Sequence, residues 1–186
     1  KTNMTNNNIV FLGNKIKLPK IGKIKIRDKY CQIEGRILSA TISQTPSGKY
    51  YIALCCTDLP QPEFIRTNKY VGLDLGIKDF VITSDAVKYS NPKYLQKSLT
   101  RLAKLQRELS RKTKGSSNWE KARVKVVKLH DRIANQRHNL LHQVTCQLIR
   151  NYDVICLEDL QVENMMKNHK LARNIADVSW SEFMRQ

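Results

Sequence analysis

Apolar and polar residues alternate in short runs over the first third of the chain. Ile9–Leu12 stops at the turn pair Gly13-Asn14, Lys15-Ile16-Lys17-Leu18 alternates up to Pro19, and Gly22–Arg27 repeats the alternation. Period-two patterning buries one face of a strand and leaves the other in water, so Lys17, Lys23 and Lys25 are expected in a row of cations on the outer face. Gly35–Thr45 and Lys49–Thr57 read as a hairpin joined through Pro46-Ser47-Gly48, with Tyr50 and Tyr51 opening the return strand. Residues 1–8 are Asn-rich and are assigned no structure. Together these runs predict a small antiparallel barrel or sheet over residues 1–66, with a linker at about 58–68 marked by Pro60-Gln61-Pro62.

Residues 67–186 carry a different pattern, that of an α/β domain. Tyr70–Ile77 is an apolar run with one carboxylate, Asp74, at its centre. As a buried strand it would tolerate such a group only if a cation met it, so Asp74 is expected either to be paired or to hold a metal. Asp79–Ser84 reads as a second strand. Asn91-Pro92 is the expected helix start, Asn capping the free amides and Pro taking the first helical position. Leu95, Leu99, Leu102, Leu105 and Leu109 follow as one apolar stripe to about Lys112. After a break at 113–118, a second helix is expected from near Trp119, burying Ala122, Val126, Leu129, Ile133, Leu140, Val144 and Leu148. The two should pack as an antiparallel hairpin over 91–150. Tyr152–Leu157 reads as another buried strand, ending directly in Glu158-Asp159-Leu160. Alternation sends Asp159 to the opposite face from Glu158, which makes it structural. A loop or short helix through Met165–His169 precedes a last helix, capped by Ser179 with Glu182 three residues on.

Charge changes the picture from a fold to a surface. There are 33 Lys and Arg against 16 Asp and Glu, a net charge of +17. Residues 70–150 hold 17 of the basic and 6 of the acidic residues, whereas residues 151–186 hold 4 and 6. From Lys93 to Arg137 the hairpin bears 14 basic residues against Glu108, Glu120 and Asp131. A solvated helix face is the plain reading of such a run, but the imbalance is too great for salt-bridged solvation. A surface for polyanion backbone accounts for it better, through Arg101, Lys104, Arg107, Arg111, Lys121, Lys125, Lys128 and Arg132. An anionic membrane surface is the lesser alternative. No stretch approaches the roughly 18 apolar residues that span a bilayer, and no signal peptide opens the chain, so a cytoplasmic protein is expected. Five cysteines, Cys31, Cys55, Cys56, Cys146 and Cys156, form no C-x-x-C pair and read as small buried hydrophobes. Of the four histidines, His138 and His142 form an i, i+4 pair for which a metal reading is open.

Two carboxylates at the ends of neighbouring strands can hold hard divalent ions. A pair of such ions about 4 Å apart activates water and stabilises the leaving oxygen in phosphodiester hydrolysis. Oxygen ligands suit Mg²⁺ or Mn²⁺ better than zinc. Asp74 and Glu158 are the candidates for this catalytic and metal-binding role. A structural Asp capping a turn is one alternative. The actin-like ATPases, which also open on Gly-x-Asp-x-Gly, are another, but the phosphate-cradling Thr, Ser and Gly do not follow here.

Taken together, Val71–Phe80, the basic hairpin, Ile155–Leu160 and Asn164–Ala172 through Ser179-Trp180 resemble the TnpB (OrfB) family of transposon-encoded proteins, relatives of the compact type V CRISPR nucleases. Leu18–Ile24 and Ser47–Tyr50 resemble that family's wedge barrel. The resemblance implies an RNA-guided DNA endonuclease whose RuvC-type, RNase H-like domain binds catalytic Mg²⁺ or Mn²⁺ at Asp74 and Glu158, with guide RNA and target DNA as partners. In that family a third catalytic Asp follows a Cys-x-x-Cys insert that binds Zn²⁺. This sequence contains neither, so it is expected to be a piece of a longer protein and inactive alone. A non-catalytic nucleic-acid-binding module or transposase relic is the alternative, and the oligomeric state is left open.

Overall fold

The computed structural model describes every residue except 5–6, 28–32, 62, 64 and 170. It divides into two units, Lys1–Phe64 and Ile65–Gln186, each described by itself. In the first, the described residues hold six strands in chain order: β1 (Thr2–Asn3), β2 (Val10–Phe11), β3 (Lys15–Leu18), β4 (Gly22–Lys25), β5 (Arg36–Gln44) and β6 (Tyr50–Thr57). They form two three-stranded antiparallel sheets, β1-β5-β6 and β2-β3-β4. Alternation along β3 does what its pattern dictates: Ile16 and Leu18 are buried while Lys15 and Lys17 are exposed. They join Ile9, Ile37 and Ala40 in one apolar core. The β5–β6 turn is closed by Thr45, whose carbonyl accepts from Gly48 N and whose N–H donates to Lys49 O, with Gly48 at φ 85° where a side chain would be strained. Residues 1–8 are not structureless throughout, because Thr2 and Asn3 pair with Ala40 and Ser39. Backbone hydrogen bonding needs no side-chain pattern, which is why no apolar alternation marks this strand.

The second unit holds a mixed sheet of β7 (Tyr70–Leu75), β8 (Asp79–Thr83), β9 (Lys88–Ser90) and β10 (Val154–Leu157), in the order β10-β7-β8-β9. Strands β7, β8 and β9 pair antiparallel, and β10 lies parallel to β7. Among the described residues five helices complete it: α1 (Tyr94–Ser110), α2 (Ser117–Asn151), α3 (Val162–Met165), α4 (Ala172–Val178) and α5 (Trp180–Arg185). At 35 residues α2 is about 52 Å long, and it changes partner along its length. Its first half packs on α1 through Val126, Leu129 and Ile133 against Leu102. Its second half covers the sheet, setting Leu141, Val144 and Leu148 on Val71, Leu73, Leu75, Phe80 and Val81. The helices after β10 close the same core with Ile175, Val178, Trp180 and Phe183. Phe183 meets Phe80 edge to face at 4.9 Å. Among the described residues no helix is long and apolar enough to cross a membrane.

Several expectations need correcting. Leu141, only 1% exposed, fills the core position assigned to Leu140, which is merely half-buried. The stripe runs Ile133, Arg137, Leu141, and the Arg hid its phase. Asn91-Pro92 does not start α1: Lys93 precedes the helix at φ 51°, and Asn91 instead accepts from Lys93 N and donates to Ile77 O. The free amide of Leu95 is met from 82 residues away by the Asp177 carboxylate, at 3.2 Å. Ser179 is no capping box either. It sits at φ 60° between α4 and α5, makes no side-chain cap bond, donates to Ala176 O and accepts from Arg137. Strand β10 is an edge and mostly exposed, with Leu157 at 42%. Cys55, Cys146 and Cys156 are exposed, because they stand on edge strands or on the outer side of α2; Cys31 lies outside the described residues.

Asp177 thus joins three helices, since Arg137 Nε also lies 3.9 Å from its carboxylate, whose side chain is 9% exposed. Asp177→Ala removes the α1 cap and leaves Arg137 with a weaker set of acceptors. Urea denaturation should show a loss of about 1–3 kcal/mol. An unchanged midpoint would mean that the cap contributes nothing.

Candidate metal and nucleic-acid sites

Asp74 stands on β7 between two buried leucines, Leu73 and Leu75, and is itself exposed. The strand alternates, sending Val71, Leu73 and Leu75 to the core and Tyr70 and Asp74 to the open face. This overturns the premise of a buried carboxylate, because the helices cover only one side of the sheet at this point. Among the described residues neither Asp74 nor Glu158 has a basic side chain within ion-pair distance. The parallel register of β10 brings the two together. Val154 pairs with Tyr70 and Leu157 with Leu73, so the next step of the same register sets Glu158, the first residue past β10, opposite Asp74. Both line one open groove with Gly72, Ile82, Ser84 and Cys156. Ser84 braces it: its N–H donates to Gly72 O at 2.8 Å and its Oγ accepts from Gly72 N at 3.2 Å.

What holds that register lies at the other end of the strand. Asp153, just before β10, accepts from Thr67 N at 2.9 Å, from Asn68 N at 2.7 Å and from Thr67 Oγ1 at 2.9 Å, while its own N–H donates to Lys69 O. The segment between α2 and β10 is therefore pinned to the residues preceding β7. The backbone amides of Thr67 and Asn68 favour the ionised form, holding the Asp153 carboxyl below its usual range. One residue earlier, Tyr152 Oη donates to Asp85 Oδ2 at 2.6 Å, tying the end of α2 to the turn after β8.

The basic candidates fall in two places. On the first unit, β3 and β4 pair Lys17 with Lys23 and Lys15 with Lys25, so four exposed lysines face one another across two strands. Like charges directly opposite destabilise a sheet, which an approaching polyanion relieves. Lys15 was not singled out from sequence, although the β3–β4 alternation carried the signal once their register was known. On the second unit, Arg101, Lys104, Arg107, Arg111, Lys121, Lys125, Lys128 and Arg132 are all exposed along α1 and α2. Arg123 pairs with Glu120 at 2.6 Å and Arg137 turns inward to α4, so those two are spoken for.

A family model described as "Probable transposase" (OrfB_IS605) matches residues 53–169, which span the groove strands and the whole hairpin. The chain belongs to this family. Similarity to individual curated proteins covers more of the sequence. A "Putative RNA-guided DNA endonuclease" of Streptomyces pristinaespiralis is 42% identical over 77% of this chain and 36% of its own length. The "Putative RNA-guided DNA endonuclease InsQ" of Escherichia coli K12 is 35% identical over 94% of this chain and 46% of its own. A protein of the same description from Mycobacterium tuberculosis is 25% identical over 83% of this chain. The chain thus spans less than half the length of these relatives.

The depressed Asp153 carboxyl has a sign that can be checked. Stability from the clamp is fully present above the unfolded pKa, about 3.9, and is lost as the pH falls through the lower folded-state value. Acid titration of stability should therefore be shallower in Asp153→Asn than in the parent over that window. Superimposable curves would remove the clamp from the account.

Proposed function

We propose that this chain is the nucleic-acid-gripping and catalytic-strand portion of an RNA-guided DNA endonuclease, with a wedge-type barrel followed by a RuvC-like, RNase H-like domain. The observation that carries this reading is the β10–β7 register, which sets Glu158 beside Asp74 on an open sheet face. Three antiparallel strands joined by a parallel fourth on the side of the first support the RNase H-like assignment. The relatives' printed names support the activity.

The groove's donor set fits a hard divalent ion: two exposed carboxylates, with no imidazole among the lining residues. Asp74 and Glu158 would hold Mg²⁺ or Mn²⁺, and such ions, when bound, lower the pKa of a water and offset charge building on phosphodiester oxygens. The remaining work belongs to the chain. Gly72, with no side chain on the open face, leaves room for a sugar-phosphate backbone beside Asp74. Asp153 keeps the two strands in step. The hairpin cations and the Lys15, Lys17, Lys23 and Lys25 face hold backbone through counterion release, leaving sequence choice to guide pairing.

A second reading has one observation in its favour. Among the described residues no set of three or more His, Cys, Asp or Glu is placed to hold a metal, so the chain taken by itself can serve as a binding module. The readings separate on the whole protein loaded with guide RNA. Asp74→Ala and Glu158→Ala should each abolish Mg²⁺-dependent cleavage of target DNA while leaving binding intact. Retained cleavage in either variant would sink the metal assignment. The binding surface is tested on its own by salt titration with duplex or single-stranded nucleic acid. Arg107→Ala combined with Lys125→Ala should lower the slope of log K against log salt by about 2, and an unchanged slope would take the hairpin off the backbone.

A further inference from the structure

Away from the carboxylate groove, His138 and His142 lie one turn apart on the exposed side of α2. Their rings meet edge to face, with centroids 4.3 Å apart, and the two Nε2 atoms converge to 3.0 Å. In the free protein this contact is a hydrogen bond between the two Nε2 atoms. Two imidazole nitrogens bound to one ion at about 2.0–2.1 Å each stand about 2.9 Å apart at a right angle and about 3.3–3.4 Å apart at the tetrahedral angle. The rings already lie within a few tenths of an ångström of that separation, so an ion entering between them requires little movement.

The other nitrogen of His138 has a carboxylate near it. Its Nδ1 faces Glu182 Oε1 at 3.9 Å, and Glu182 is fixed in turn by Arg185, whose Nη2 and Nε donate at 2.6 and 3.0 Å. A carboxylate behind the far ring nitrogen is the arrangement that orients metal-bound histidines and selects Nε2 as the ligand atom. Arg185 holds the Glu182 carboxyl below its usual range, so it stays ionised where His138 needs an acceptor.

We propose that His138 and His142 form a two-histidine chelate for a borderline transition-metal ion such as Zn²⁺ or Ni²⁺, with Glu182 as the positioning carboxylate behind His138. Imidazole nitrogens suit these ions and do not suit Mg²⁺, so the site is chemically separate from Asp74 and Glu158. No third protein ligand joins the pair among the described residues, and water completes the coordination. The ion stabilises the folded chain to the extent that it binds the folded form better than the unfolded one.

The test is calorimetric titration of ZnCl₂ into the full chain, with thermal unfolding followed in parallel. One Zn²⁺ per chain and a rise in melting temperature are expected, with no comparable rise from MgCl₂. His142→Ala should lower the affinity at least tenfold. Alanine suits an exposed helix position, so the variant keeps its fold. Glu182→Gln should weaken binding by about 10-fold or more. Asp74→Ala and Cys146→Ser should leave it unchanged, the latter because Cys146 lies a further turn along α2 and could otherwise be the true ligand. Zn²⁺ binding undiminished in His142→Ala, absent in the parent chain, or lost in Cys146→Ser would overturn the chelate.

Discussion

The parallel contact between β10 and β7 is the constraint on which the second unit depends. The two strands are separated in sequence by the β8–β9 hairpin and the whole helical hairpin, so nothing local sets their register. A slip of one residue would turn every β10 side chain to the opposite face and carry Glu158 away from Asp74. The clamp of Asp153 on the amides of Thr67 and Asn68 prevents this at the strand entrances, where hydrogen bonds to an ionised carboxylate are stronger than neutral ones. The pin sits several residues from the groove whose geometry it fixes. Conversely, the groove carboxylates have no basic partners to fix them among the described residues, and their arrangement follows the backbone register.

A second node serves the helices. Arg137 falls on the apolar stripe of α2 at the point where that helix passes from α1 to the sheet. There its guanidinium donates to Ala176 O and Ser179 Oγ and approaches Asp177, which caps α1 through Leu95 N. Such a half-buried cation would be costly if left alone, and its acceptors come from α4 and from the bend at Ser179. The bend is what lets α5 present Trp180 and Phe183 to the sheet core. The short C-terminal helices are thus held by polar contacts to α2 as much as by their own apolar residues.

Those two nodes explain what the sequence made legible. Elements whose signal is local were readable: the alternation of β3 and β4, the hairpin through Gly48, and the stripe of Leu102, Val126, Leu129 and Ile133. What could not be read was set by distant partners. The cap of α1 comes from Asp177, the shift from Leu140 to Leu141 follows from Arg137 interrupting the stripe, and Lys88–Ser90 is too short and polar to announce a strand. Asp74 and Glu158 stood out as carboxylates at the ends of apolar runs. The exposure of Asp74 was hidden, because an apolar run reports that a strand is buried somewhere and not which of its faces a helix covers.

Charge and burial also divide the labour within the second unit. The apolar residues of α2 are used twice, on α1 and on the sheet, and its outer side is then free to carry cations without disturbing either core. The acidic residues of the last segment are mostly engaged or placed: Asp153 at the strand entrances, Asp177 at the α1 cap, Glu182 between Arg185 and His138, and Glu158 in the groove. The surplus positive charge is therefore not neutralised within the fold. Exposed cations held apart on rigid helices lose little side-chain freedom to internal ion pairs, and that freedom remains available when a polyanion arrives. An arrangement that neutralised them internally would gain little stability, since exposed ion pairs contribute so little, and would give up the exposed cationic surface.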